Sequence, residues 1–245
     1  MTTATIYGST TDGYLRADYV THWSEARDAV VADAAEATAD HLDVGWGMVF
    51  VMGKPPTNKM NLHRPFIYFD TTDVPGAASI TTATVRLYLE PGLDIPATGH
   101  DVVLFNGQPA YPSDPLAVGD FNRTLYASGG ADNITIWGGM SGLQTFTFNA
   151  TGRETWITKG GITKLCLRSE FDVSPTIPNA GMLLRFYSAE KGGAYRPVLT
   201  LTYGTTATVT TNAAESIGAS YATAKGPITD DAAAALEGVG ACRSS

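Results

Sequence analysis

The stretch "ATVRLYLEP", residues 83–91, decides the fold class. Val85, Leu87 and Leu89 alternate with Thr84, Arg86, Tyr88 and Glu90, so an extended chain turns its aliphatic side chains to one face and its polar ones to the other. The same two-residue period returns in "AYRPVLTLTYG", residues 194–204, where Val198, Thr200 and Thr202 alternate with Leu199, Leu201 and Tyr203 before Gly204 closes the run. Around these lie "ATIYGS", "GYLRA", "GMVFVM", "RPFIYFD", "HDVVLFNGQ", "NITIWGG", "LQTFTFN", "ITKLCLRSEFD" and "GMLLRFYSA", separated by Gly, Pro, Asn and Asp. Many short strands with turn residues between them predict an all-β chain, a sandwich or a barrel. Pro65 and Pro197 each stand at a strand start, where the missing N–H costs least.

The chain has 245 residues, 24 acidic and 16 basic side chains, and a formal charge of −8. A surface of that sign repels phosphate backbones and argues against nucleic acid as a partner. Charged residues are 16% of the chain, while Thr, Ala and Gly abound, a balance closer to secreted or assembled β proteins than to cytosolic enzymes. "MTTATIYGST" has neither the basic start nor the apolar core of a signal peptide. No apolar run approaches ~18 residues, so no membrane span is expected. A protein that works outside a cell without a signal peptide needs another exit, and a virus particle released by lysis is one. The expected location is therefore a virion or the extracellular space.

Two segments depart from strand character. "SEARDAVVADAAEATADHLD", residues 24–43, is rich in Ala and acid; it reads either as a short helix capped by Ser24, with Glu25 and Asp28 in its positive first turn, or as a polar crossover between strands. "NATGRETWI", residues 149–157, reads as a helical turn capped by Asn149 or Thr151, with Trp156 and Ile157 docked on the sheet. Cys166 alternates with Leu165 and Leu167 in a strand, and Cys242 lies near the C-terminus. They read as two free thiols, with a disulfide between them left open.

No catalytic constellation is present: there is no G-x-S-x-G, H-E-x-x-H or phosphate loop, and no zinc spacing. The expectation is a protein that is not an enzyme and has no cofactor. Sugar binding would use exposed aromatic rings as platforms, and the candidates are Trp137, Tyr111, Tyr126 and Trp23, with Trp46 beside them. Trp137 stands next to Gly138 and Gly139 at a strand end. "YPSDPLAVGDFNRTLYASGGADN", residues 111–133, is a long Pro/Gly/Asp-rich stretch of the kind that contacts partners. Its Asp114, Asp120 and Asp132 are possible oxygen ligands for calcium, although no Asp-x-Asp-x-Asp spacing supports that.

"HRPFIYFDTTDVPGAASITTATVRLYLEP", residues 63–91, resembles the signature of DNRLRE-type domains, β jelly-roll modules related to carbohydrate-binding modules. Arg64, Phe69, Asp70, Pro75, Ile80, Ala83, Leu87 and Tyr88 occupy the pattern's positions. "FNATGRETWITKGGITKLCLRSEFD" and "FYSAEKGGAYRPVLTLTY" resemble the later blocks of that family, and the resemblance covers residues 1–204. It implies a jelly-roll sandwich, places Trp156 in the core, and leaves residues 26–43 without a counterpart. Asp70 and Glu190 fall within these blocks as strand-end hydrogen-bonding groups.

Residues 205–245 resemble the first half of an immunoglobulin-like or fibronectin-type module, of the kind that follows β domains in phage virion and bacterial surface proteins. A half sandwich buries too little apolar area to offset its chain entropy. The segment is therefore expected either to continue in a longer chain or to complete its fold against another subunit by strand addition. Val209, Ile217, Tyr221, Ile228 and Leu236 are the side chains expected to make that assembly contact. The functional expectation is a structural virion protein, a capsid decoration or tail-associated protein of a tailed phage, partnered by other subunits or by itself as a homo-oligomer. Host-glycan contact is a possible addition. The alternative is an extracellular carbohydrate-binding module of a larger surface protein.

Overall fold

In the computed structural model, which describes residues 1–19, 22–49, 59–93, 99–174, 182–205, 217–218 and 221–222, the alternation read in 83–91 is a strand with its aliphatic side chains buried. The chain divides into two units, Met1–Gly204 and Thr205–Ser245. The first half of the first unit carries β1 (Thr2–Tyr7), β2 (Gly13–Tyr19), β3 (Ala34–Glu36), β4 (His41–Val49), β5 (Lys59–Asp70) and β6 (Ala78–Leu89). β7 (His100–Phe105), β8 (Ile134–Ile136), β9 (Gly142–Thr147), β10 (Ile162–Ser169), β11 (Met182–Tyr187) and β12 (Val198–Thr205) follow. Among the described residues three short α-helices join them: α1 (Trp23–Asp28), α2 (Ala150–Thr155) and α3 (Glu170–Val173). In the second unit the described residues form one small antiparallel hairpin, β13 (Ile217–Gly218) with β14 (Tyr221–Ala222).

The fold is an all-β sandwich. Its hydrogen-bonded order is β1–β12–β6–β11–β4–β5–β10–β7–β8, with β9 on β6, β2 on β5 and β3 on β2. Between the layers lies a first core of Val85, Leu87 and Leu89 from β6, Leu184 and Phe186 from β11, and Leu199 and Leu201 from β12, packed against Ile67 and Phe69 of β5, Leu165 and Leu167 of β10, and Leu104 of β7. Trp156 and Ile157 close it from the end of α2, whose Asn149 caps the helix by accepting the Gly152 N–H at 3.1 Å.

A second core lies on the opposite face of the same layer. Phe66 and Tyr68 of β5, Cys166 of β10, and Val103 and Phe105 of β7 point there. Three neighbouring strands are therefore buried on both faces, so "RPFIYFD" shows no clean alternation. Gly45, at φ 103°, breaks the period of β4: Leu42 and Val44 enter the first core and Trp46 enters the second. A Cβ at that position would lie 2.4 Å from the Met182 carbonyl oxygen.

The second core is roofed by α1, through Trp23 and Ala26, and by the stretch after β7, through Phe121 and Tyr126. Within residues 111–133, Phe121 and Tyr126 thus pack on the sheet as part of a lid, while Asp114, Val118, Gly129 and Asp132 stay exposed. Residues 24–43 combine the two alternatives: α1 occupies the start, and the rest runs extended through β3 to β4. Ser24 is not the cap; His22 holds the N-cap position, without a side-chain hydrogen bond. Helix stops at Asp28 because the edge of β2 offers better partners: Asp33 N–H donates to the Arg16 carbonyl at 2.9 Å, and Asp33 Oδ2 accepts the Asp18 N–H at 2.7 Å.

Arg64 pins the roof to the sheet. Its side chain is fully buried. Nε donates to Asp172 Oδ2 at 2.7 Å and Nη2 to Asp172 Oδ1 at 2.5 Å. Nη2 also reaches the Arg27 carbonyl at 2.6 Å, Nη1 reaches the Phe121 carbonyl, and the guanidinium lies 4.0 Å over the Phe121 ring. Cys166 is a free thiol beneath the same roof, pushed up to about 11 by burial; Cys242 lies outside the described residues. Among the described residues no helix is long and apolar enough to cross a membrane.

Removing one partner of a buried ion pair strands the other charge. Asp172→Ala is therefore expected to cost about 3–5 kcal/mol of unfolding free energy, measured by urea titration. A loss under ~1 kcal/mol would show that Arg64 does not need its carboxylate.

Candidate functional site

The roof covers the outer face of the β5–β10–β7 layer. The other exposed sheet face gathers side chains from strands distant in sequence. β6 and β11 meet at Leu89 and Phe186, and β11 and β4 pair Arg185 with Asp43 and Tyr187 with His41. Because Leu87, Leu89, Leu184 and Phe186 fill the core, Arg86, Tyr88, Arg185 and Tyr187 point outward.

Three tyrosines meet there. Tyr88 and Tyr187 stack with ring centroids 5.6 Å apart. Tyr195 stands edge-on to both, at 4.8 and 5.1 Å. Lys191 Nζ lies 4.7 Å over the Tyr187 ring and pairs with Asp40 at 3.4 Å. Leu143, 54% exposed, faces Tyr88 from β9, and Tyr195 is 40% exposed.

A polar cluster adjoins the rings. Asp43 Oδ1 accepts from Arg185 Nε at 3.0 Å, and Arg185 Nη1 lies 3.5 Å from Glu90. His63 Nδ1 lies 3.5 Å from Asp43 Oδ2, and His41 Nε2 lies 3.7 Å from Oδ1. Tyr14 packs its ring 5.9 Å from that of His41 and 5.2 Å from that of His63. Burial, aided by the positive charges of Arg16, Arg185 and His41, holds His63 down at about 3. Burial also raises Asp43, against the pull of Arg185, and raises Tyr14, with Asp43 and Glu36 adding to it. The shifts of Tyr14 and His63 move both away from proton exchange at neutral pH. The surface carries partly exposed tyrosine rings packed on one another, bordered by charged and hydrogen-bonding side chains.

The aromatic candidates from the sequence fare differently. Trp137 is 51% exposed. One face of its ring rests on Gly99, where a Cβ would come within 2.9 Å, and the Trp137 backbone N–H donates to Met140 Sδ at 3.1 Å. Trp23 and Tyr126 are buried in the second core, as is Trp46, which meets Trp23 edge-on at 5.9 Å. Their reading as exposed platforms is corrected: the unpaired apolar face of β5 claims them. Tyr111 is half-buried against the same core. Asp120 is buried and its carboxylate accepts from Ser113 Oγ and the Ala117 N–H, while Asp114 is exposed. Asp114, Asp120 and Asp132 do not form a ligand set, and no group of three His, Cys, Asp or Glu among the described residues is arranged for a metal ion. Asp70 accepts hydrogen bonds from Thr72 at its strand end. Val209, Ile228 and Leu236 lie outside the described residues, and Ile217 and Tyr221 sit on β13 and β14.

Compared with known proteins, the chain matches no family model and no curated protein. Sequence reasoning placed Tyr88 on an outward face but missed the trio, because only the β6–β11 pairing brings Tyr88 to Tyr187.

His63 makes stability depend on acid. The unfolded chain protonates this ring near its ordinary 6.5, the folded one only near 3, so the unfolded state binds more protons between those values. Stability is lost as pH falls through that window. At about 1.4 kcal/mol per pH unit, the His63 share of the loss between pH 7 and ~4.5 is about 2–3 kcal/mol. Urea midpoints at the two pH values should differ by less in His63→Asn than in the wild type; equal differences would remove His63 as the cause.

Proposed function

We propose that the chain works by contact rather than turnover, as a carbohydrate-binding module of a virion or extracellular surface that takes sugar on the Tyr88–Tyr187–Tyr195 face. The tyrosine trio carries this reading. Its outward rings stand beside Arg185, Glu90 and His41, which are the groups needed for C–H stacking and for hydroxyl hydrogen bonds. Trp137, held on Gly99 with one ring face open, is a second platform. The resemblance of residues 63–91 to DNRLRE-type jelly rolls supports the same ligand class. A glycan array on the wild type, Tyr187→Ala and Trp137→Ala tests it. The expected result is a bound glycan whose affinity falls about tenfold or more in Tyr187→Ala, the equivalent of ~1.4 kcal/mol. An array silent for every protein, or an unchanged affinity in both variants, would overturn the reading.

A second reading, a structural subunit of a tailed-phage particle, rests on the C-terminal sequence, where Val209, Ile217, Tyr221, Ile228 and Leu236 would bury against neighbouring subunits or a second copy. Light scattering after size exclusion is expected to find a homo-oligomer that Ile217→Asp with Tyr221→Asp dissociates. A monomer at micromolar concentration would count against assembly through this segment.

A further inference from the structure

Two guanidiniums are buried beneath the roof, and only one of them is satisfied. Arg64 donates from each of its nitrogens: Nε and Nη2 grip Asp172 as a two-pronged fork, Nη2 also reaches the Arg27 carbonyl, and Nη1 reaches that of Phe121. Arg168, on β10, is only 3% exposed. The same edge of its guanidinium, Nε and Nη2, is buried and meets no acceptor of the protein.

Asp172 cannot serve both. Its Oδ2 lies 3.7 Å from Arg168 Nε, beyond hydrogen-bond distance, and both its oxygens are committed to Arg64. Asp120, the buried acid of the lid, accepts from Ser113 Oγ and the Ala117 N–H and makes no ion pair among the described residues. Phe105 and Tyr126 lie with ring centroids 4.6 and 5.3 Å from the central carbon of Arg168. Their cation–π attraction holds the group but gives its fork no lone pair to bond.

The second core holds two more donors of this kind. The indole N–H groups of Trp23 and Trp46, whose rings meet edge-on at 5.9 Å, are buried without an acceptor. Among the described residues, the buried side-chain atoms around this core that lack a partner are therefore all donors. A water molecule at the fork would bring two hydrogens that need acceptors in turn. A group that only accepts, and that supplies the countercharge Arg168 lacks, meets the need more completely, and such a group is an anion.

We propose that the Nε–Nη2 edge of Arg168 is a buried site for a small monovalent anion, chloride in ordinary solution, which neutralises the second guanidinium and helps to fasten the roof. The charge of Asp172 alongside disfavours a divalent anion. The groups around the fork come from β10, β7, the lid and α3, so the site exists only while the roof is closed. The anion therefore binds the folded chain and not the unfolded one, and its concentration enters the folding equilibrium.

Equilibrium urea unfolding of the full chain tests the site, with chloride raised from about 1 mM to about 300 mM and ionic strength held constant by gluconate, an anion too bulky for it. The wild-type unfolding constant is expected to fall with chloride, approaching about tenfold for each tenfold rise, the slope of one bound anion. Arg168→Met keeps an unbranched side chain against Phe105 and Tyr126 but has no charge, and is expected to lose the dependence. Wild-type crystals grown in bromide are expected to show its anomalous signal beside Arg168 Nε and Nη2. If Arg168→Met fails to fold, the bromide crystal carries the assignment. A wild-type stability indifferent to chloride overturns the proposal, and a bromide peak would then be an adventitious ion only. A dependence that survives in Arg168→Met, or a fork that binds water and no bromide, overturns it equally.

Discussion

Arg64 is the constraint on which the rest of the molecule turns. A guanidinium with no access to water needs acceptors for its donors, and Asp172 and the carbonyls of Arg27 and Phe121 supply them. Those acceptors come from α3, α1 and the lid after β7, three segments with little sheet pairing of their own. One side chain thus fixes three covers over β5. A buried ion pair of this kind adds little net stability over an apolar substitute of the same volume; it selects one arrangement of the covers over others. Arg168, buried beside Asp172 at 3.7 Å and lying over the rings of Phe105 and Tyr126, extends the same polar seam.

The covers decide where function can reside. Among the described residues the second face of β5, β7 and β10 is closed by Trp23, Phe121 and Tyr126, with Tyr111 half-buried beside them. Among the described residues the outward positions of β6, β11 and β4 hold Tyr88, Tyr187, Arg185 and Asp43. Within that face the most buried acid and base, Asp43 and His63, both have their charged forms disfavoured by burial. The rim around them keeps its charged pairs, Arg185 with Asp43 and Glu90 and Lys191 with Asp40.

The sequence was most readable where one face of a strand meets water. The alternation of 83–91 gave its strand, its inward leucines and its outward Tyr88, and Asn149 gave the cap of α2. It was least readable where a strand is buried on both sides, since Phe66, Ile67, Tyr68 and Phe69 show no period to read. Phe121 and Tyr126 stand alone among Pro, Gly and Asp, so composition suggests a loop, while tertiary packing makes them core. Helix in 24–43 was overridden by the free edge of β2. The tyrosine trio could not be read at all, because stacking depends on strands a hundred residues apart lying side by side.

The most direct test of this account is native-state hydrogen exchange with Arg64→Leu beside the wild type. The amides of Ala32, Asn106 and Ala127, each hydrogen-bonded within the roof, report its opening, and those of Val85 and Leu87 report the sandwich. The account predicts that roof and sandwich amides exchange together in the wild type, and that in Arg64→Leu the roof alone exchanges faster while the sandwich keeps its protection. Roof amides that open independently in the wild type, or that keep full protection without Arg64, would contradict it.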